Sequence, residues 1–287
     1  MFPCQSILFP VEFSQRDEAA ATFVLSMAQR YRARVVLLHV LQPPPPIYAG
    51  MGALYPEVFD FEGAIQDLKI NLGNFASTQL PKIDVACVVE TGDPARSVSQ
   101  YACNNGIDLI AMPTHGYGAF RRALLGSVTA KVLHDSSLPV WTSAHAPEPS
   151  HRAHPQPRRI LCAVDLKPES RHTLEVAIAL ATDASATLEV GYVPADTASP
   201  DAAERRLQDL LIEAARAEKI DILEAPPIST RPEGGASDVA EGVRDLALRN
   251  RVDLVVIGRG AIRTGLGRLH AHSYNIIRES PCPVLSV

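Results

Sequence analysis

A chain of 287 residues is long enough for two domains, each with a core of its own, and its 46% hydrophobic and 21% charged content is ordinary for a soluble globular protein. The net charge of -5 offers no general attraction to nucleic acid or to an anionic membrane surface, and no apolar stretch approaches a membrane-spanning length. Nucleic acid and membrane are therefore excluded as expected partners. A signal peptide is not expected either, because no basic segment followed by a sustained apolar core opens the chain.

Residues 5–11 form an apolar run that predicts a first strand, and Glu12-Phe13-Ser14 turns the chain into a helix. Ser14, with Asp17 three positions on, has the form of a capping box in which Asp stands in for Glu. Ala20, Phe23, Val24, Met27 and Ala28 share one face of that helix. Residues 33–41 read as the second strand. Four consecutive prolines, Pro43 to Pro46, make residues 42–56 an irregular surface loop. A second helix is expected over 59–80 and a third strand over 83–89. Gly92-Asp93-Pro94 opens a third helix, with Asp93 as N-cap and Pro94 at the first position. Residues 107–112 read as a buried fourth strand, 128–136 as a fourth helix with Gly126-Ser127 at its start and Ser127 as N-cap, and 139–143 as a fifth strand.

The chain then starts again. Residues 144–157 hold four prolines and three histidines without an apolar period, the composition of a linker. Beyond it, Arg159 to Asp165 parallels Ser6 to Glu12 at an offset of 153, Val252 to Ile257 parallels Ile107 to Met112 at 145, and Pro283-Val284 parallels Pro139-Val140 at 144. We expect a first domain over residues 1–145, a linker over 146–157, and a second domain over 158–287 that is shortened after its second strand. Strands alternating with helices predict an α/β fold, a parallel sheet with helices on both faces in each half. Ligands of such sheets sit outside the carboxyl ends of the strands, at the switch point.

The stretch Met112-Pro113-Thr114-His115-Gly116, running on to Gly126-Ser127, links the fourth strand to the fourth helix. Amide groups at a helix N-terminus seat phosphate readily, and Arg121 and Arg122 add positive charge to the loop. The stretch resembles the nucleotide loop of the universal stress protein family, which reads Gly, two residues, Gly, nine residues, Gly, then Ser or Thr. Gly116, the run from Tyr117 to Leu125, and Gly126-Ser127 match its later parts, while Pro113 replaces the first glycine and removes an N–H. A dinucleotide fingerprint and a Walker-type loop both fail at this position.

The resemblance covers nearly the whole chain, as two tandem Rossmann-like modules with five-stranded parallel sheets. It implies an adenine nucleotide, ATP with Mg, held in the first half by Pro10, Val11, Glu12, Val40, Met112, Pro113, Gly116, Gly126, Ser127 and the Val128 amide. Glu12 stands where the family usually has Asp and reaches one methylene further. In the second half Asp165, Val193, Gly258 and Arg259 form a second candidate set, in which Arg259, with Arg263 and Arg268, could hold an anion by its side chain. His270 and Ala271 replace the glycine-serine pair there, so a degenerate copy kept as structural partner is expected. The resemblance also implies an intramolecular pseudo-dimer through residues 139–143 and 283–287, with monomer and further homodimer both left open.

No His/Cys/carboxylate cluster has convincing ligand spacing, so no metal site is expected, and no nucleophile elbow or positioned base marks a dedicated catalyst. The cysteines Cys4, Cys87, Cys103, Cys162 and Cys282 contain no C-x-x-C pair, which favours buried thiols in a reducing, cytoplasmic compartment. The expected function is a stress-response regulatory module that binds ATP in its first half. The alternatives are an interaction scaffold that binds no nucleotide and, as a weaker class, an enzyme or redox sensor acting through Cys4 or Cys162.

Overall fold

The computed structural model describes residues 1–42, 60–114, 125–143, 156–192, 200–217, 228–232, 239–259 and 270–287. The proline loop, most of the organising loop including Gly116, most of the linker, and Val193 lie outside these residues.

In the first half, β1 (Ser6–Pro10) leads into α1 (Gln15–Tyr31), β2 (Arg34–Leu41), α2 (Phe61–Gln79), β3 (Val85–Thr91), α3 (Pro94–Asn104), β4 (Leu109–Met112), α4 (Ser127–Asp135) and β5 (Val140–Thr142). The second half repeats the order with β6 (Arg159–Val164), α5 (Ser170–Ala184), β7 (Thr187–Tyr192), α6 (Pro200–Ala217), β8 (Ile228–Pro232), α7 (Val239–Arg249), β9 (Leu254–Ile257), α8 (His270–Glu279) and β10 (Val284–Ser286).

Local chemistry sets the starts of several helices. Ser14 accepts from the Asp17 amide while the Asp17 carboxylate accepts from the Ser14 amide, so the expected capping box is present. Asp93 accepts from the Arg96 amide at 2.9 Å with Pro94 in the first turn of α3. At α2 the cap is Asp60, whose carboxylate accepts from the Gly63 amide.

Each half contributes five parallel strands, and the halves join into one ten-stranded sheet of order β3-β2-β1-β4-β5-β10-β9-β6-β7-β8. The join is β5 against β10, the only antiparallel pair among the described strands, with Trp141 opposite Leu285. Both strands are buried along their length, so the pairing covers two apolar edges that would otherwise be open.

The central strands β1, β4, β6 and β9 are apolar on both faces because helices cover both. Ile7 and Phe9 of β1 enter the core beneath α1, α2, α5 and α6. Leu8 enters the core shared with α3, α4, α7 and α8. At the amino end of the sheet Asp108 accepts from the Gln5 and Ser6 amides, and Asp253 accepts in the same way from the Arg158 and Arg159 amides. The repeated Ile-Asp and Val-Asp dipeptides are thus clamps on the starts of β1 and β6, at the opposite end from the carboxyl-end crevices.

Additional ties cross the seam. Asp183 near the end of α5 accepts from the Phe2 amide at 2.8 Å and from the Tyr31 hydroxyl at 2.9 Å, and its carbonyl accepts from Arg30.

Candidate functional site

The chain order reverses between β1 and β4. β1 is followed by β2 on one side and, after β3, the chain crosses back to place β4 on the other. That makes the carboxyl ends of β1 and β4 the crevice in the first half.

One wall is the end of β1. Pro10 is its last residue, and Val11 is buried, with its amide donating to Leu38 O at 2.9 Å. Nδ1 of His39 lies 2.8 Å from Val11 O, an arrangement in which the ring donates from Nδ1. The His39 ring in turn stacks on Phe13, with centroids 5.1 Å apart. Glu12 is exposed, and its amide donates to the Asp17 carboxylate at 3.0 Å, so the capping carboxylate of α1 also fixes the backbone of the crevice. Burial pushes the Asp17 carboxyl above the usual carboxylate range, against the pull of the amide and hydroxyl donors around it.

Phe13 has φ of 59°, and Leu166, its counterpart in the second half, has φ of 61°. Bulky residues seldom adopt this left-handed conformation, and each costs on the order of 1–3 kcal/mol. The same strained turn in both halves carries the chain from the strand end into the helix start.

The second wall comes from β2. The β1–β2 ladder ends at Pro10 with Leu38, whereas β2 continues to Leu41 against β3 alone. Val40 therefore lies past the end of β1, where its backbone borders the crevice. Its side chain packs into the core on the α3 and α4 side.

The third wall follows β4. Met112, Pro113 and Thr114 are buried. Pro113 O accepts from the Thr129 hydroxyl at 3.0 Å, which pins the first turn of α4 to the end of β4. Thr114 O accepts from the Gly126 amide at 2.8 Å and closes the base of the loop between them.

One expectation is corrected here: Ser127 is the first residue of α4, not its N-cap. The cap is Gly126, with φ of -57° and ψ of 140°, and no side chain caps the helix. The first helical bond runs from the Ala130 amide to Gly126 O at 2.8 Å. The amides of Ser127, Val128 and Thr129 thus have no partner within the helix, the arrangement that seats an oxyanion. Two donors of the family pattern are spent or missing, since Pro113 has no N–H and the Gly126 amide is engaged. The remaining described donors suit a phosphate approached from the helix end.

The second half is built differently. Asp165 does not present an open carboxylate: it accepts from the Ser170 hydroxyl at 2.8 Å and the Lys167 amide at 3.2 Å, and pairs with the Lys167 ammonium at 2.8 Å. Burial alone would raise its carboxyl, but the bonds from Lys167 and Ser170 outweigh burial and hold it below the usual range. Gly258 O accepts from the Ser273 hydroxyl.

Arg259, considered from sequence as an anion-holding side chain, is turned to the seam. Its guanidinium donates to Ser136 O at 2.5 Å and to Leu138 O, the carbonyls just past the end of α4. It is 9% exposed, and burial pulls it down to about 10. It bridges the halves instead of facing the second crevice. Sequence alone could not locate its partners, which lie more than a hundred residues away.

The thiol class finds no support at Cys4 and Cys162. Cys4 and Cys162 are both buried. Burial and then the Asp108 charge push the Cys4 thiol up to about 12, and burial drives Cys162 higher still. Neither holds a ready thiolate. Among the described residues no group of His, Cys, Asp and Glu could hold a metal ion, and no helix is long and apolar enough to cross a membrane.

Comparison with known proteins matches this geometry to a family. A model of the universal stress protein family matches residues 3–143 and again residues 157–287. The chain belongs to the universal stress protein family. A universal stress protein of Methanocaldococcus jannaschii is 28% identical over 152 residues, spanning 47% of this chain and 92% of that protein. One from Thermus aquaticus is 31% identical over 141 residues, spanning 47% of this chain and 96% of that protein. Each relative corresponds in length to about one half of the chain. The crystal structure of a universal stress protein from Archaeoglobus fulgidus covers 98% of this chain and 95% of its own, with a TM-score of 0.70 at 20% identity, which establishes the shared fold.

Proposed function

We propose that this universal stress protein is a regulatory module that binds an adenine nucleotide, ATP with its Mg ion, in the crevice of its first half. The observation that carries the reading is the start of α4 at the β1–β4 switch point, where the Ser127 and Val128 amides have no helical partner. The exposed Glu12 carboxylate at the end of β1 and the Val40 backbone beyond it would meet the nucleoside. Gly116 would complete the phosphate loop. With no carboxylate cluster among the described residues, Mg would be held by phosphate oxygens and water.

Residues 1–145 form the nucleotide half in this reading, 146–157 the linker, and 158–287 the structural partner, joined as an internal pseudo-dimer. The engaged Asp165 and the seam-facing Arg259 support a second half without a site of its own. Five free cysteines support a reducing, cytoplasmic setting. The scaffold reading, without nucleotide, is favoured by the loss of the donor at Pro113 and the occupation of the Gly126 amide.

A substitution of Ser127 by Pro tests the nucleotide reading at the start of α4, and absence of binding in the wild type would favour the scaffold. Proline suits the first helical position, and Gly126 already has the extended backbone that a following proline requires, so the helix is kept while one amide donor is removed. Titration with a fluorescent ATP analogue is expected to show binding weakened by about tenfold or more in Ser127→Pro, the weight of one hydrogen bond to a charged group. Unchanged affinity would remove the α4 amides from the site.

A further inference from the structure

A strand inside a parallel sheet turns the backbone groups of alternate residues to its two neighbours. In β2 the Arg34 amide donates to Gln5 O and Leu38 O accepts from the Val11 amide, so the even-numbered residues face β1. The Val35 amide donates to Asp84 O and Leu41 O accepts from the Gly92 amide, so the odd-numbered residues face β3. Val40 therefore turns its N–H and C=O to the β1 side and, because β1 has ended, to the crevice. The next rung of the ladder would run from the Val40 amide to Val11 O. That rung is not made. His39 Nδ1 lies 2.8 Å from Val11 O and takes its place, and among the described residues the Val40 amide has no acceptor.

Packing holds His39 in this position. Its ring stacks on Phe13 at an interplanar angle of 26°, and Phe13 meets Phe75 of α2 edge-on at 6.4 Å. The left-handed backbone of Phe13 thus lays an aromatic face against the histidine. Val11 O can only accept, so Nδ1 is the nitrogen that carries the proton. The repeat shows that the device belongs to the first half. There the ladder stops at Pro10 with Leu38, whereas Val164 and Tyr192, the counterparts of Val11 and His39, are still paired in the β6–β7 ladder.

We propose that His39 is a positioning residue of the nucleotide crevice, which by occupying Val11 O keeps the Val40 N–H open for an acceptor atom of the base. The proposal rests on the nucleotide reading above and adds the choice of base to it. A 6-aminopurine has an unprotonated ring nitrogen beside its amino group, an acceptor next to a donor, which complements the N–H and C=O of Val40. A 6-oxopurine has a protonated nitrogen beside an oxygen, so donor would meet donor and acceptor would meet acceptor.

The test titrates the full chain with Mg-ATP and with the Mg complex of inosine triphosphate, and the wild type is expected to prefer ATP. His39→Leu has no donor, and is expected to lose about tenfold in ATP affinity with little change for the inosine nucleotide. His39→Asn, whose side-chain amide restores a donor near the Nδ1 position, is expected to keep the preference. A merely structural loss would weaken both nucleotides alike. Amide hydrogen exchange on the ligand-free chain reads the same device without nucleotide. The Val40 amide is expected to exchange faster than those of Val36 and Leu38 in the ladder, and to slow in His39→Leu as it closes on Val11 O. Should His39→Leu misfold, the wild-type exchange rates carry the test. Absence of nucleotide binding by the wild type overturns the nucleotide reading and the choice of base with it. With ATP still bound, a preference unchanged in His39→Leu, or a Val40 amide as slow as that of Leu38, overturns the role of His39 alone.

Discussion

Cys103 is the exposed thiol of this chain, Cys87 is half-buried, and Cys4, Cys162 and Cys282 are buried. Burial pushes Cys282 up to about 12, as it does Cys4, so these thiols are protonated as well as shielded. An aromatic disulfide reagent at neutral pH is expected to modify Cys103 quickly, Cys87 slowly, and the other three only after denaturation. Fast, selective modification of Cys4 or Cys162 in the folded protein would revive the redox class. Residue roles were legible in the sequence where partners are close along the chain. The Ser14 and Asp17 box and the Asp93 cap follow from spacing alone. The clamps of Asp108 and Asp253, the seam bridge of Arg259 and the engagement of Asp183 do not, because their partners come from distant segments. The start of α4 was misplaced by one residue, because Ser is a common cap and no local signal gave the role to Gly126.

The starts of α1 and α5 show how one element is built twice with different parts. Ser14 and Asp17 correspond to Lys167 and Ser170 at the repeat offset, so α5 has no capping box and no side-chain cap, and Asp165 instead accepts from the Lys167 amide ahead of the helix and from the Ser170 hydroxyl. A carboxylate recruited to steady a helix is less free to meet a ligand. The elements themselves were readable from apolar runs and periodicity; the redirection of Asp165 was not, since the sequence shows only that the acid is kept. Ser14→Ala, at a buried cap, is expected to cost about 1–2 kcal/mol in urea unfolding at neutral pH. Asp165→Asn is expected to cost no more than about 1 kcal/mol, because both partners of its ion pair are just over half exposed. The pH dependence separates them further. The Asp165 carboxyl is lower in the folded state, so its contribution is present above the ordinary carboxyl range and is lost as pH falls through the depressed value. The Lys167 ammonium is raised, first by its bond to Asp165, and its share is lost only as pH climbs through the elevated lysine range. The difference between wild type and Asp165→Asn should therefore shrink in acid and again as pH climbs through the lysine range, whereas the Ser14→Ala deficit persists through that basic range. A larger cost for Asp165→Asn than for Ser14→Ala at neutral pH would contradict the contrast between a buried capping box and a half-exposed ion pair.

At the scale of the molecule, a duplicated fold has become one continuous sheet whose halves are no longer equivalent. The duplication was legible from offsets between like segments, and the apolar final strands pointed to their use as edges. What the sequence could not show is how the symmetry breaks. In the second half Asp165 is engaged by Lys167 and Ser170, and Arg259 is turned to the seam rather than to the second crevice. The seam joins the crevice-bearing α4 to its partner through the Arg259 bonds beyond the helix end, so the structural half supports the helix on which the proposed phosphate site depends. Calorimetric titration of the full, nucleotide-stripped chain with Mg-ATP tests this division of labour most directly. One saturable site per chain is the predicted result. No binding at millimolar nucleotide would contradict the nucleotide reading, and two sites per chain would contradict the assignment of the second half as a structural partner.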